Sequence, residues 1–347
     1  MRLSFRTWMS ILTLTLIGVI VFLSRHELNQ AWDLMSRVNL WVLALVIPIA
    51  MISNLASGEM IFSYLRQKKL INHVNPFVLM RISFELNFVN HVLPSGGVSG
   101  ISYVNWRLGK FGVSTGKATM AQGVKYVVGF AALATLLALA VLLVTVDGNI
   151  NRWTILMSST LVFLMVMTTM IGIYLIRSPK RMHLFAKFFS RRVNALVRKV
   201  TLGRKKRILS PKKVEEFLDD IHDDYLDLVR DKRALQRPYL WGLLFTVMEI
   251  ALFYIVFLAL GSPINPAPIL IAYGVASMAG FIVVTPGGAG AYEAIMVIIL
   301  TMAGLNQSQS IAGIVLARVI ILLLTILLGY LFYQQALIKY GKRAADL

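Results

Sequence analysis

Six stretches of this chain, at about 8–24, 40–65, 117–146, 153–177, 238–260 and 310–337, are apolar for long enough to cross a bilayer. A spanning helix needs about 20 such residues, and only helices or closed barrels satisfy every backbone N–H and C=O inside hydrocarbon. Runs of this length are too long for membrane strands, so the chain has to be built of helices. The first run is followed by "SRHELNQ" rather than by a small-residue cleavage site, which predicts a retained anchor instead of a removed signal peptide. The 57% hydrophobic composition agrees. With no cysteine, disulfide frameworks and thiol chemistry are excluded.

The net charge of +19 could suit nucleic acid, but its placement argues for lipid. With the N-terminus inside, Arg2, Arg6, Arg66, Lys68, Lys69, Arg107, Lys110, Lys117, Lys339, Lys342 and Arg343 fall in the cytoplasm, as does the segment 177–237. The outer loops receive Arg25, Arg37 and Arg152. That is the positive-inside bias, so the chain is predicted to lie in the inner (plasma) membrane with both termini cytoplasmic. Basic clusters beside spanning helices are attracted to anionic headgroups.

Two further apolar stretches, 76–109 and 266–303, are each broken in the middle, at "HVLPSGGVSG" and "VVTPGGAGAYE". Each opens at proline (Pro76; Pro266 and Pro268), and the part after each break is short for a crossing. Broken backbone at membrane depth is tolerated where protein or a water-filled cavity surrounds it, so both are predicted to be re-entrant hairpins. The spacing around the breaks repeats. Glu59 lies 38 residues before Gly97 and Lys125 lies 28 after it; Glu249 lies 39 before Gly288 and Arg318 lies 30 after it. An odd number of crossings separates the two sets, so the units must be inverted. Inverted repeats with discontinuous helices are a transporter plan whose site lies at the repeat interface near the midplane.

The predicted fold is therefore an all-α polytopic membrane protein with about six full spans and two re-entrant hairpins in two inverted repeats. Its parts are an N-terminal anchor and outer segment (1–39), repeat one (40–146), a connecting span with a cytoplasmic segment (147–237), repeat two (238–338) and a tail (339–347). The cytoplasmic segment is first basic with interleaved Phe, Leu and Val, suiting an anionic surface. It then becomes acidic at helical spacing, with eight of the sixteen acidic residues between Glu215 and Asp231.

Candidate substrate-binding residues follow from cost. A charge at bilayer depth costs a few kcal/mol or more unless it is paired or faces a polar interior. The intramembrane charges are Glu59, Arg81, Glu85, Lys125, Glu249, Glu293 and Arg318. Arg81 and Glu85, one turn apart, are expected to neutralise each other. Glu59, Glu249, Lys125 and Arg318 either line a cavity for a headgroup with phosphate and amine or form two buried salt bridges. Ser95, Gly96, Gly97, Thr285, Gly287 and Gly288 sit at the breaks, where a half-helix N-terminus can hold an anion or simply turn the chain. Asn87, Asn90 and His91 approach the first break, and Tyr292 follows the second.

"DDIHD" (Asp219–Asp223) and "DDYLD" (Asp223–Asp227) match the DDxxD pattern of prenyl-diphosphate enzymes, whose carboxylates bridge Mg²⁺ to a diphosphate. Both matches fall on one amphipathic helix with no facing acidic cluster, so a solvated acidic face is expected. No metal site, cofactor, Walker pattern or nucleophilic constellation is predicted.

"NFVNHVLPSGGVSG", a basic residue in the next helix, "TPGGAGAYEA" and "LARVIILL" resemble the flippase-like membrane domain of the lysylphosphatidylglycerol synthases, the bacterial multiple peptide resistance factors. The resemblance covers roughly 8–338, and its more specific half runs from Thr285 to Glu293 with Arg318. It implies translocation of a modified, for example aminoacylated, phospholipid between leaflets. Full synthases carry a soluble aminoacyltransferase domain after the membrane region, and this sequence stops at Leu347, so transferase activity is not expected. The expected partner is an anionic or aminoacylated membrane phospholipid. A separate lipid-modifying enzyme and a second copy of the chain are further candidates; nucleic acid is not. The competing readings are a membrane transferase acting on a lipid or polyprenyl phosphate, with Asp219, Asp220 and Asp223 as metal ligands, and a non-transporting scaffold.

Overall fold

The computed structural model describes residues 38–93, 98–146, 152–184, 187–188, 211–282 and 290–340, with Thr15, Phe22, Arg25, Asn29, Trp32 and Asp33 before them. Within these residues every regular element is helical. The expected anchor helix at 8–24, the basic stretch beyond 188 and both Gly-Gly tips fall largely or wholly outside them.

Helix α1 (Leu40–Ala44) and α2 (Val46–Gln67) form one span, interrupted where the Pro48 ring would meet the carbonyl four residues earlier. α3 (Pro76–Val92) and α4 (Val98–Gly109) are the two arms of the first broken stretch. α5 (Thr115–Val146) and α6 (Arg152–Ile176) are long and apolar. α7 (Pro211–Arg230) is the amphipathic acidic helix, and a short 3₁₀ turn, Lys232–Leu235, leads into α8 (Gln236–Ala259). α9 (Pro266–Ile282) and α10 (Ala291–Met302) are the arms of the second broken stretch, and α11 (Gln307–Tyr340) closes the order. Among the described residues, five helical segments are long and apolar enough to cross a membrane: 40–67, 115–142, 159–176, 232–259 and 307–340. The chain is an all-α, multi-pass membrane protein.

The helices pair off by order and length. α2 and α8 have 22 and 24 residues, α3 and α9 have 17 each, α4 and α10 have 12 each, and α5 and α11 have 32 and 34. The starts match as well. Asn75 caps α3 by accepting the Phe77 N–H at 2.8 Å with Pro76 next, and Asn265 accepts the Ala267 N–H at 2.9 Å with Pro266 next. An Asn-Pro start satisfies an orphan donor and presets φ for the first turn.

α2 and α8 pack against each other along much of their length and run antiparallel. The Asn39 N–H before α1 donates to the Ala259 carbonyl at the end of α8, while the turn that starts α8 lies against α2. α3 folds back on α4, and also runs antiparallel to α11 through Phe84–Phe332 and Phe88–Tyr330. At the other end of the bundle α9 packs on α10 and on α5. Each broken stretch thus leans on the long helix that closes the other half.

Burial follows from this exchange. One apolar cluster gathers the first half of α2, the second halves of α5 and α8, α9, α10 and the first half of α11. A second gathers the rest of α2, α3, α4, the first half of α5, and Ile221 of α7. Ser53, Asn54, Lys125, Glu249 and Arg318 of the spans collect between them. α7 lies on α5 and α6, with Asp219, Asp223 and Asp227 exposed. Asp219 pairs with His183 at 2.9 Å, Asp227 with Lys68 at 3.3 Å, and His222 Nδ1–H donates to the Ile176 carbonyl at 2.7 Å.

Candidate functional site

Between the two apolar clusters lies a cavity of about 390 Å³. It is lined by Ser53, Asn54 and Ser57 of α2, Asn87, Asn90 and His91 of α3, and Lys125 and Tyr126 of α5. Thr246 and Glu249 of α8, Tyr273 and Ser277 of α9, Tyr292 of α10, and Arg318 and Thr325 of α11 complete its polar wall. At 1.5 Å rise per residue, Lys125, Glu249 and Arg318 lie about 15–20 Å along their helices, well inside three spanning segments. The first arm of each broken stretch ends toward this space.

The polar side chains are partly satisfied by one another. Ser53 donates to Glu249 Oε1 at 2.5 Å, tying α2 to α8. Lys125 Nζ donates to Ser57 Oγ at 2.7 Å, and no carboxylate among the described residues comes within 4.0 Å of it. Asn87 Nδ2 donates to Asn54 Oδ1 at 2.7 Å and to Thr325 Oγ1 at 3.5 Å. His91 Nδ1–H donates to the Asn87 carbonyl at 2.9 Å. The buried Asn90 Oδ1 has no hydrogen-bond partner among the described residues.

Glu293 organises the far wall. One oxygen accepts the Gly290 N–H at 2.7 Å and the other accepts Arg318 Nε at 2.6 Å. Gly290 has φ +88°, the left-handed region where a side chain would be strained, and this turn aims α10 at Arg318. The guanidinium then stacks on the Tyr292 ring at 4.4 Å. The wall therefore presents an oriented cation at one side and an ammonium held by a single hydroxyl at the other. A carboxylate, Glu249, stands on a third helix. Such a set can hold a phosphate and a cationic amine at once.

Six of the sixteen sequence-derived candidates line the cavity: Asn87, Asn90, Lys125, Glu249, Tyr292 and Arg318. Glu293 supports them through Arg318. Ser95, Gly96, Gly97, Thr285, Gly287 and Gly288 lie outside the described residues. Three charges go elsewhere. Glu59 pairs with Arg66, two turns further along the same helix, and does not line the cavity. The expected Arg81–Glu85 neutralisation is replaced by longer-range pairs. Glu85 accepts Arg107 Nε at 2.7 Å and Tyr103 Oη at 2.9 Å, because folding α4 back on α3 brings those donors into the core. Arg81 instead bonds Gln335 and stacks on Phe332. The sequence reading also missed Ser53, Asn54, Ser57, Tyr273, Ser277 and Thr325. The run "SNLAS" (Ser53–Ser57), three polar residues inside an apolar span, was the signal available for the first three.

Comparison with known proteins follows this architecture. The family model of the lysylphosphatidylglycerol synthase transmembrane region matches residues 8–329, and the chain belongs to that family. Two alignments relate it to UPF0104 membrane proteins of Methanothermobacter thermautotrophicus (strain Delta H). One is 28% identical over 109 residues, 31% of this chain and 32% of the relative. The other is 24% identical over 204 residues, 59% of this chain and 56% of the relative. The alignments thus span between a third and just over half of the relatives' length.

Proposed function

We propose that the protein is a lipid translocase that moves a phospholipid or related lipid, such as an aminoacylated one, between membrane leaflets. One observation carries the reading. A polar cavity with Lys125, Glu249 and Arg318, well inside three spanning segments, sits between two broken helical stretches that belong to matched halves. Intramembrane ionisable groups around such a space are the mark of a substrate path. Lys125 and Arg318 would take the phosphate, and Glu249 a headgroup amine.

In this reading the broken stretches are re-entrant. A 12-residue arm is about 18 Å long, well short of the hydrocarbon thickness. The first opens toward the cytoplasm and the second toward the outer side of the plasma membrane, with both termini cytoplasmic, as the Lys/Arg bias favours. The protein works without a chemical step or cofactor. A separate lipid-modifying enzyme supplies the lipid where it is a modified one.

The test is a leaflet-accessibility assay in proteoliposomes, comparing wild type with Lys125→Ala and Arg318→Ala. Wild type is expected to accelerate exchange of labelled phosphatidylglycerol, phosphatidylethanolamine or lysylated phosphatidylglycerol over protein-free vesicles, and both variants to lose most of that gain. A wild-type rate equal to that of empty vesicles for all three lipids would end the reading.

A further inference from the structure

The two halves match in order and length but not in how their helices meet. In one half-to-half seam α8 lies close against α5. A Cβ built on Gly242 of α8 would stand 3.3 Å from both the Val128 carbonyl and the Ala132 Cβ of α5. The Thr135 and Tyr239 hydroxyls are hydrogen-bonded at 2.8 Å across the same seam. The equivalent seam, between α2 and α11, is nearly without direct packing, although both helices line the cavity. Asn87 of α3 bridges Asn54 of α2 and Thr325 of α11 at its inner edge, and beyond them the cavity wall is apolar: Ile47 and Met51 from α2, and Ile321, Leu324 and Leu328 from α11. Ile47 and Met51 are also 48% and 39% exposed, so they face the cavity and the surface together.

We infer that the α2–α11 seam holds an acyl chain of the lipid whose headgroup occupies the cavity, and that the α5–α8 seam is its closed counterpart. This rests on the translocase reading and names the path of the chains. A cavity of about 390 Å³ takes a headgroup but not two fatty chains as well. The chains must therefore leave through the wall. Among the described residues an apolar wall reaches the surface at Ile47 and Met51, and such a wall lets them stay in hydrocarbon while the headgroup stays among Lys125, Glu249 and Arg318. Hydrocarbon is the occupant because the seam grades from polar inside to wholly apolar at its mouth. A protein partner would leave that gradient without a use.

The experiment uses the full chain in vesicles of phosphatidylethanolamine and phosphatidylglycerol. Either lipid carries a diazirine in one acyl chain, and labelled residues are mapped by mass spectrometry. Label is expected at Ile47, Met51, Ile321, Leu324 or Leu328, and also at Phe163 and Met170, exposed residues of α6 that meet bulk lipid. Excess tail-less glycerophosphoglycerol or glycerophosphoethanolamine should strip the seam label but leave α6 label unchanged. Lys125→Met should reduce seam label roughly tenfold, the effect of losing about 1.4 kcal/mol of headgroup anchoring.

Seam label that resists both competition and Lys125→Met would mark ordinary surrounding lipid and overturn the inference. Absence of seam label while α6 labels would overturn it too, showing the seam covered by protein, such as a second copy. The competition arm uses wild type, so the outcome does not depend on the variant folding. Lipid exchange measured in the same vesicles separates the two readings. Headgroup-dependent seam label without exchange keeps the lipid site and ends the translocase. Exchange without seam label does the reverse.

Discussion

Arg107 of α4 reaches Glu85 of α3 with Nε at 2.7 Å and Nη2 at 3.3 Å, and both side chains are almost wholly buried. The pair closes the first broken stretch on itself, with Tyr103 Oη as a third member. Its guanidinium also stacks on Tyr340 at 4.7 Å, joining the closing end of α11. Removing one member of a buried pair leaves an uncompensated charge, a loss of about 3–5 kcal/mol. Glu85→Ala and Arg107→Ala are therefore expected to lower the thermal unfolding temperature in detergent by a similar, large amount. Arg107→Lys should recover little of it, because an ammonium cannot span both carboxylate oxygens and the ring. A Glu85→Ala protein as stable as wild type would show that the hairpin is held by apolar packing alone.

Lys125 behaves in the opposite way. Its ammonium has a hydroxyl partner, Ser57, at 2.7 Å and no carboxylate in reach among the described residues. A cation kept at membrane depth on that footing costs stability. Lys125→Met is expected to leave the unfolding temperature unchanged or raise it, while lipid exchange falls by roughly tenfold or more, as loss of an anchoring charge on the substrate would give. Stability and exchange measured on one preparation decide the matter. A joint fall in both would make Lys125 a structural group.

The contrast between these two residues shows what was legible beforehand. The spans were readable because twenty apolar residues in a row have few alternatives to a membrane helix, and five of the six predicted runs coincide with spanning helices. Glu85 was misread because its visible neighbour in sequence, Arg81, sits at helical spacing. The true partner becomes a neighbour only once Val98–Gly109 folds back on Pro76–Val92. The Glu59–Arg66 pair was hidden for a related reason: a match in spacing to Glu249 says nothing of Arg66 on the same face. The cavity's serines and asparagines were hidden because each is unremarkable alone. They become a site when α2, α3, α5, α8 and α11 converge at one depth.

Arg318 depends on its shape as well as its charge. It donates to Glu293 at 2.6 Å while its plane rests on Tyr292 at 4.4 Å. Arg318→Lys keeps the charge but neither the fork nor the stacking, so its exchange rate is expected to resemble that of Arg318→Ala. Tyr292→Leu, which removes about 0.5–2 kcal/mol of cation–π attraction, should give an intermediate loss. Glu293→Gln keeps an oxygen for only one of the two N–H groups, Gly290 or Arg318, and sets an amide N–H against the other, so it too should lower the exchange rate. Full activity in Arg318→Lys would mean that only a positive charge is needed there.

Gly242 tests whether the tight α5–α8 seam matters. With its Cβ position 3.3 Å from the Val128 carbonyl and from Ala132 Cβ, alanine fits after a shift of a few tenths of an ångström, whereas leucine cannot enter without separating the helices. Overpacking of this kind costs about 1–3 kcal/mol. Gly242→Leu is expected to unfold at lower temperature, and Gly242→Ala to stay near wild type. The seam's opening is read directly, since the chain has no cysteine of its own and Ala132 is fully buried. A cysteine placed at Ala132 should resist a membrane-permeant maleimide in the otherwise native chain and in Gly242→Ala, and react quickly in Gly242→Leu. Equal reactivity in all three would show that α5 and α8 are not held together at this glycine.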